Sequence, residues 1–111
     1  ATTSGMIARA ADEARGGVLP EVTLDRLRGW AAHEAVAAGT YVFLRHPDDA
    51  RAAILEGANT PGDSDSIATI AGALVGARLG VQGLPVGWVR DVERSRELTG
   101  LALAAARTPS P

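Results

Sequence analysis

The sequence predicts an all-α chain folded as an irregular, orthogonal helical bundle. Two observations carry that expectation. No segment alternates apolar and polar residues for more than a few positions, so half-buried strands leave no footprint. Glycine, proline and short Asp/Ser clusters also punctuate the chain at intervals that suit brief helices.

In order, Met6 to Arg15 reads as a short helix stopped by Gly16-Gly17, with a turn at Pro20. Thr23 is the expected N-cap of a turn or two of helix closed by Gly29. Trp30 to Leu44 reads as one helix, with Trp30, Val36, Ala37, Tyr41 and Leu44 on its apolar face. His46-Pro47-Asp48-Asp49 should end it and open another, since proline suits a first turn and acidic groups favour the positive end of the helix dipole. That helix is expected to run to about Gly57. A longer apolar helix then follows to about Leu79, with Gly80 as its C-cap. Val81 to Trp88 reads as a connector, Val89 to Ala106 as one amphipathic helix, and residues 108–111 as a tail. No internal repeat is visible.

The 111 residues suffice for one small domain. The hydrophobic fraction of 46% is mostly alanine, and Trp30, Tyr41, Phe43 and Trp88 are the four aromatics. At roughly 25 cal/mol per Å² of buried apolar surface, so thin a core is marginal alone. The expectation is therefore that these helices complete a larger body and that the chain begins within a longer protein, as one partial domain over 1–111.

Charge narrows function further. Eleven basic and 13 acidic residues give a net charge of −2, scattered along the chain, which argues against nucleic-acid or membrane-surface partners. Every basic residue is arginine, so a Schiff-base or P-loop lysine is excluded. The absence of cysteine excludes disulfides, thiolate nucleophiles and cysteine-ligated zinc. No targeting segment is visible at Ala1–Gly5, and a cytoplasmic location is expected.

The segment richest in chemistry is Thr60-Pro61-Gly62-Asp63-Ser64-Asp65-Ser66, at the head of the apolar helix. Hard divalent cations such as Mg²⁺ or Mn²⁺ take several oxygen ligands, and carboxylates supply both oxygen and compensating charge. Asp63 and Asp65, two apart in a turn, can converge on one ion, with Ser66 adding a neutral oxygen. The blander alternative is N-capping, where acidic and hydroxyl side chains are favoured by ~0.3–1 kcal/mol each. One cap needs one side chain, however, and here there are four in a row. An EF-hand is excluded by spacing: the turn-glycine position holds Ala68 and the twelfth holds Leu74. Zinc lacks a suitably spaced histidine pair. His33, His46 and the charged run Arg90–Glu97 read as solvated or capping groups. Trp30 and Trp88 read as core or lid residues. Gly72, Gly76 and Gly80 fall on one helix face, where a partner helix could approach. That apolar run, about 13 residues, is too short to cross a membrane, which needs ~20.

With these residues in order, the chain resembles the carboxy-terminal half of the ADP-ribosylglycohydrolase family. The resemblance runs from Gly29-Trp30, Glu34-Ala35 and Tyr41–Leu44 through Pro47-Asp48-Asp49 to Asn59 and Gly62–Ala68. It continues through Ala71-Gly72-Ala73, Gly76-Ala77, Gly80, Leu84-Pro85 and Trp88, while residues 1–28 match poorly. It implies an all-helical body with two Mg²⁺ or Mn²⁺ ions at the mouth of an ADP-ribose cleft. Asp63, Asp65 and Ser66 would be metal ligands, with Asp65 bridging, and Gly62 would lie near substrate. The reaction implied is hydrolysis of an N- or O-glycosidic bond at the ribose anomeric carbon. The family's amino-terminal metal motif has no counterpart here and no catalytic residue is identifiable. Activity would therefore need the missing amino-terminal half or a partner chain. Two other readings stay open: a non-catalytic ADP-ribose binder or structural relative, and a small helical interaction module using the glycine face.

Overall fold

The computed structural model describes residues 2–109, and within them every regular element is helical. Helix α1 spans Thr3–Gly16, α2 Pro20–Arg26, α3 Ala32–Arg45, α4 Ala50–Ala58 and α5 Ser64–Leu79. A 3₁₀ turn at Val81–Gly83 leads to α6, Val86–Asp91, and α7, Ser95–Arg107. The all-α expectation holds. None of these helices is long and apolar enough to cross a membrane.

The body is built on α3 and α5, with α1 packed on α3 and α4 on α5. Tyr41, Val42, Ile67 and Val75 are its fully buried large apolar side chains, joined by Leu24, Leu27 and a layer of alanines. Small residues set the helix spacing. A Cβ on Gly57 of α4 would stand 2.9 Å from the Ala68 Cα of α5, so this contact is backbone against backbone. The predicted glycine face plays no such part: nothing lies within 4 Å of a Cβ placed on Gly76, and Gly72 has only ordinary contact with Ile54. The close approaches belong to Gly39 and Gly57, on helices that pack against α5, because crossing geometry selects which small residue meets a neighbour.

Two polar clamps hold the connections. Glu13 of α1 accepts both guanidinium nitrogens of Arg26, at 2.6 and 2.9 Å, and the Thr23 hydroxyl at 2.8 Å. Those contacts, Arg26 foremost, outweigh burial and hold the Glu13 carboxyl down at about 2. Glu56 of α4 accepts Arg45 Nε at 2.7 Å and pairs with His46 Nε2 at 2.9 Å. Burial opposes its ionisation, but the hydrogen bonds with Arg45 and His46 prevail and its carboxyl sits below the ordinary range.

Three local expectations change. Thr23 does not cap a helix: α2 starts at Pro20, which occupies its first turn, and Thr23 is buried inside it as the Glu13 partner. Trp30 lies outside α3, which begins at Ala32 with the Glu34 carboxylate reaching back to the Ala31 N–H at 3.2 Å. Its indole is 70% exposed, and Ala35, Ala38 and Val42 join Ala37 and Tyr41 on the buried face where Val36 was expected. The expected helix over 89–106 is two helices, broken at Val92–Arg94, where Arg94 takes a left-handed φ of 60°. No glycine or proline marks that break. Neither α6 nor α7 buries a residue, so no core contact selects a single continuous helix there.

Candidate metal centre

The loop of residues 59–63 is anchored by an interaction distant in sequence. The Asp63 N–H donates to the Arg28 carbonyl at 2.6 Å, joining the start of α5 to the linker between α2 and α3. Gly62 lies so close to that linker that an added Cβ would overlap the Arg28 backbone, which alone requires glycine. One residue on, Gly29 has a φ of 83°, and a Cβ there would stand 3.0 Å from the Ile67 side chain. The stretch Arg28–Gly29 and the stretch Gly62–Ile67 are therefore one packed unit.

Within it, Asp63 occupies the N-cap position of α5 but its side chain makes no capping hydrogen bond. Asp65, in the first turn, is exposed and accepts the Ser66 N–H at 2.9 Å. Hydrogen bonding with the neighbouring Asp63 side chain comes first, and the Ser66 N–H second, in holding the Asp65 carboxyl below its ordinary range. No arginine or histidine is paired to either aspartate among the described residues. Asp65, Ser66, Thr69 and Ile70 line a shallow depression of about 280 Å³. The nearby Thr60 hydroxyl is buried with no hydrogen-bond partner among the described residues.

As donors, two carboxylates and a serine hydroxyl fit a hard, oxygen-seeking cation. They are too few for a full coordination shell, and no group of three or more His, Cys, Asp or Glu side chains gathers around one point among the described residues. Gly62 and Asp63 are joined to Arg28, a partner that no local sequence signal announced. An apolar groove of about 800 Å³, lined by Gly76, Gly80, Trp88 and the inner face of α7, lies toward the far end of α5.

This helical body, headed by paired aspartates, is the frame of a known hydrolase class. The sequence matches the ADP-ribosylglycohydrolase family over residues 1–110, so the chain belongs to that family. The match includes the first 28 residues, in keeping with the burial of Ala10, Leu24 and Leu27 in the core. Among curated relatives, the chain is 33% identical over 97 residues to mouse ADP-ribosylhydrolase ARH3, covering 78% of this chain and 26% of that protein. The human ARH3 match has the same identity and covers 27% of the human protein. ADP-ribosylarginine hydrolase Tri1 of Pseudomonas putida (strain GB-1) is 48% identical over 50 residues, 45% of this chain and 14% of the relative. The chain thus spans about a quarter of the length of the ARH3 proteins it matches. No solved structure matches it.

Proposed function

We propose that this chain supplies the carboxy-terminal metal-site part of an ADP-ribosyl hydrolase that cleaves an N- or O-glycosidic bond to ADP-ribose. The observation that carries the reading is the pair Asp63 and Asp65 at the head of α5: neither is neutralised by a basic side chain among the described residues, and Asp63 stands at the N-cap without a side-chain capping hydrogen bond. The named activities of ARH3 and Tri1 support the same substrate class, ADP-ribosylated groups. Asp63, Asp65 and Ser66 would hold Mg²⁺ or Mn²⁺, Asp65 between two ions, with Gly62 keeping the loop close to the substrate. Such ions would supply Lewis-acid polarisation and charge stabilisation near the ribose.

The chain's own residues orient and restrain. The Arg28 carbonyl and Gly62 fix the start of α5, so the two carboxylates meet the ribose from a rigid helix end rather than a free loop. In the net reaction the bond from ribose C1 to the leaving nitrogen or oxygen breaks, water supplies the hydroxyl to C1, and its proton goes to the leaving group. Three side chains cannot fill two octahedral shells, so activity requires the remainder of the hydrolase. The test is complementation with that remainder: release of ADP-ribose should depend on Mg²⁺ or Mn²⁺ and fall at least about 100-fold in Asp65→Ala. A folded, complemented protein that neither binds metal nor releases ADP-ribose would refute the hydrolase; binding ADP-ribose without hydrolysis would instead mark it as a reader.

A further inference from the structure

Nine consecutive residues of α7, Leu98 to Ala106, carry no charge, and every one of them is exposed. A helix that is apolar all round belongs inside a protein. Here α7 buries no residue, and its exposed leucines, Leu98, Leu101 and Leu103, stand at positions on more than one helical face. Beside it, toward the end of α5, lies the apolar groove of about 800 Å³. Among the described residues its walls hold no charged side chain, and the Ser95 hydroxyl in them already donates to the Val89 carbonyl. Gly76 lines the α5 side, and a Cβ placed there would meet nothing within 4 Å.

These features decide between occupants. A phosphate-bearing ligand needs charged donors that the walls lack. A bilayer is a poor match, because the 13 residues of α7 reach about 20 Å against ~30 Å of hydrocarbon. A helix lying in the membrane interface needs a basic face, whereas Arg96 and Arg107 sit at opposite ends of α7. A second copy of the chain could cover the groove, but it would leave the aspartates at the other end of α5 without further ligands. Helix α5 is thus unfinished at both ends. The remainder of a hydrolase answers both, since this chain corresponds to 26% of mouse ARH3. One body can reach from end to end, because the 16 residues of α5 span only roughly 24 Å.

We infer that the groove between α5 and α7 is the seat of the remainder of the hydrolase, filled by an apolar helix of that part. This rests on the reading of the chain as part of a hydrolase, and adds the surface through which the parts join. Small residues four apart on both walls, Gly76 and Gly80 on one and Ala102 and Ala106 on the other, let the incoming helix approach each closely. Its arrival buries the face of α7 that lines the groove, and removes the flank of Trp88 from water.

The experiment produces this chain together with the remainder of the hydrolase as two polypeptides, and reads their co-purification and their release of ADP-ribose. Leu98→Glu and, separately, Gly76→Leu should each cut the remainder recovered with the chain at least about 10-fold. Leu19→Glu, at a leucine equally open but outside the groove, should cost less than about three-fold. In the chain alone both groove substitutions should move the melting temperature by no more than about 2 °C, since neither position is packed there. Wild-type parts that fail to join, groove variants that join normally, or an equal loss in Leu19→Glu would each overturn the inference. So would a dimer of the chain that the remainder does not displace, or Leu98-dependent binding to phosphatidylcholine vesicles. Asp65→Ala, run in parallel, should join normally and release nothing. If wild-type parts join through the groove but neither bind metal nor release ADP-ribose, the hydrolase reading fails and the docking surface stands. If the groove variants join and release as the wild type does, the docking surface alone fails.

Discussion

Asp48-Asp49 ahead of α4 and Asp63-Ser64-Asp65 ahead of α5 look alike in the sequence, each an acidic pair where a helix begins. The fold uses them in opposite ways. Asp49 accepts the Ala52 N–H at 3.0 Å and caps α4, while Asp48 pairs with Arg78 at 3.0 Å. Both of those carboxylates have structural partners. Asp63 stands at the N-cap without capping, and Asp65, two residues on, has no basic partner among the described residues. Neither acid has a basic neighbour among the described residues to offset the repulsion between them when both are ionised. The pair without a basic partner is the one left to be neutralised from outside the chain.

That comparison can be broken most forcefully through the anchor. Gly62→Ala should push the loop off the Arg28 backbone, cost about 2–3 kcal/mol in thermal or urea unfolding, and, by moving Asp63, abolish the metal binding proposed above. A Gly62→Ala protein of unchanged stability would mean the loop is not held as described.

The Glu13 clamp shows what a paired carboxylate does in this fold. Its pKa in the folded chain, about 2 against an ordinary 4.5, is depressed. Its contribution is therefore complete above about 4.5 and lost as pH falls from there toward 2. It amounts to about 3 kcal/mol at most. Glu13→Gln should lower stability at neutral pH and flatten its acid dependence across that window, as followed by circular dichroism.

The smallest effects draw the contrast directly. Asp49→Ala should cost about 1 kcal/mol through the lost cap, visible as a lower melting temperature with or without metal. Asp63→Ala should change the metal-free stability by no more than about 0.5 kcal/mol, yet remove any rise in melting temperature on adding Mg²⁺ or Mn²⁺. If Asp63→Ala destabilised as much as Asp49→Ala, the capping explanation would apply to both pairs.

Much of this was legible along the chain. The Gly16-Gly17 stop, the apolar helix from Ser64 to Leu79 and its Gly80 terminus are local effects of backbone freedom, proline geometry and helical period. Even the candidate metal ligands could be named, because paired carboxylates and hydroxyls in a turn carry their chemistry in their identity. What escaped were residues whose roles depend on distant neighbours. Thr23 has the chemistry of a cap, but Pro20 starts the helix earlier and Glu13 claims its hydroxyl. The Gly72–Gly76–Gly80 face is evenly spaced, yet α4 and α3 cross α5 elsewhere, at Gly57 and Gly39.

The sequence by itself determined the helical class, the family likeness and the oxygen-rich turn, since periodicity and side-chain chemistry are written residue by residue. Only the tertiary structure decided which acidic pair is left free, why Gly62 must be glycine and where Trp30 stands. Each of those follows from the Arg28–Asp63 hydrogen bond and the backbone contact beside it, between residues more than thirty positions apart. No local preference encodes a contact of that separation; it forms when burial of Ile67, Leu27 and Tyr41 brings the two segments together.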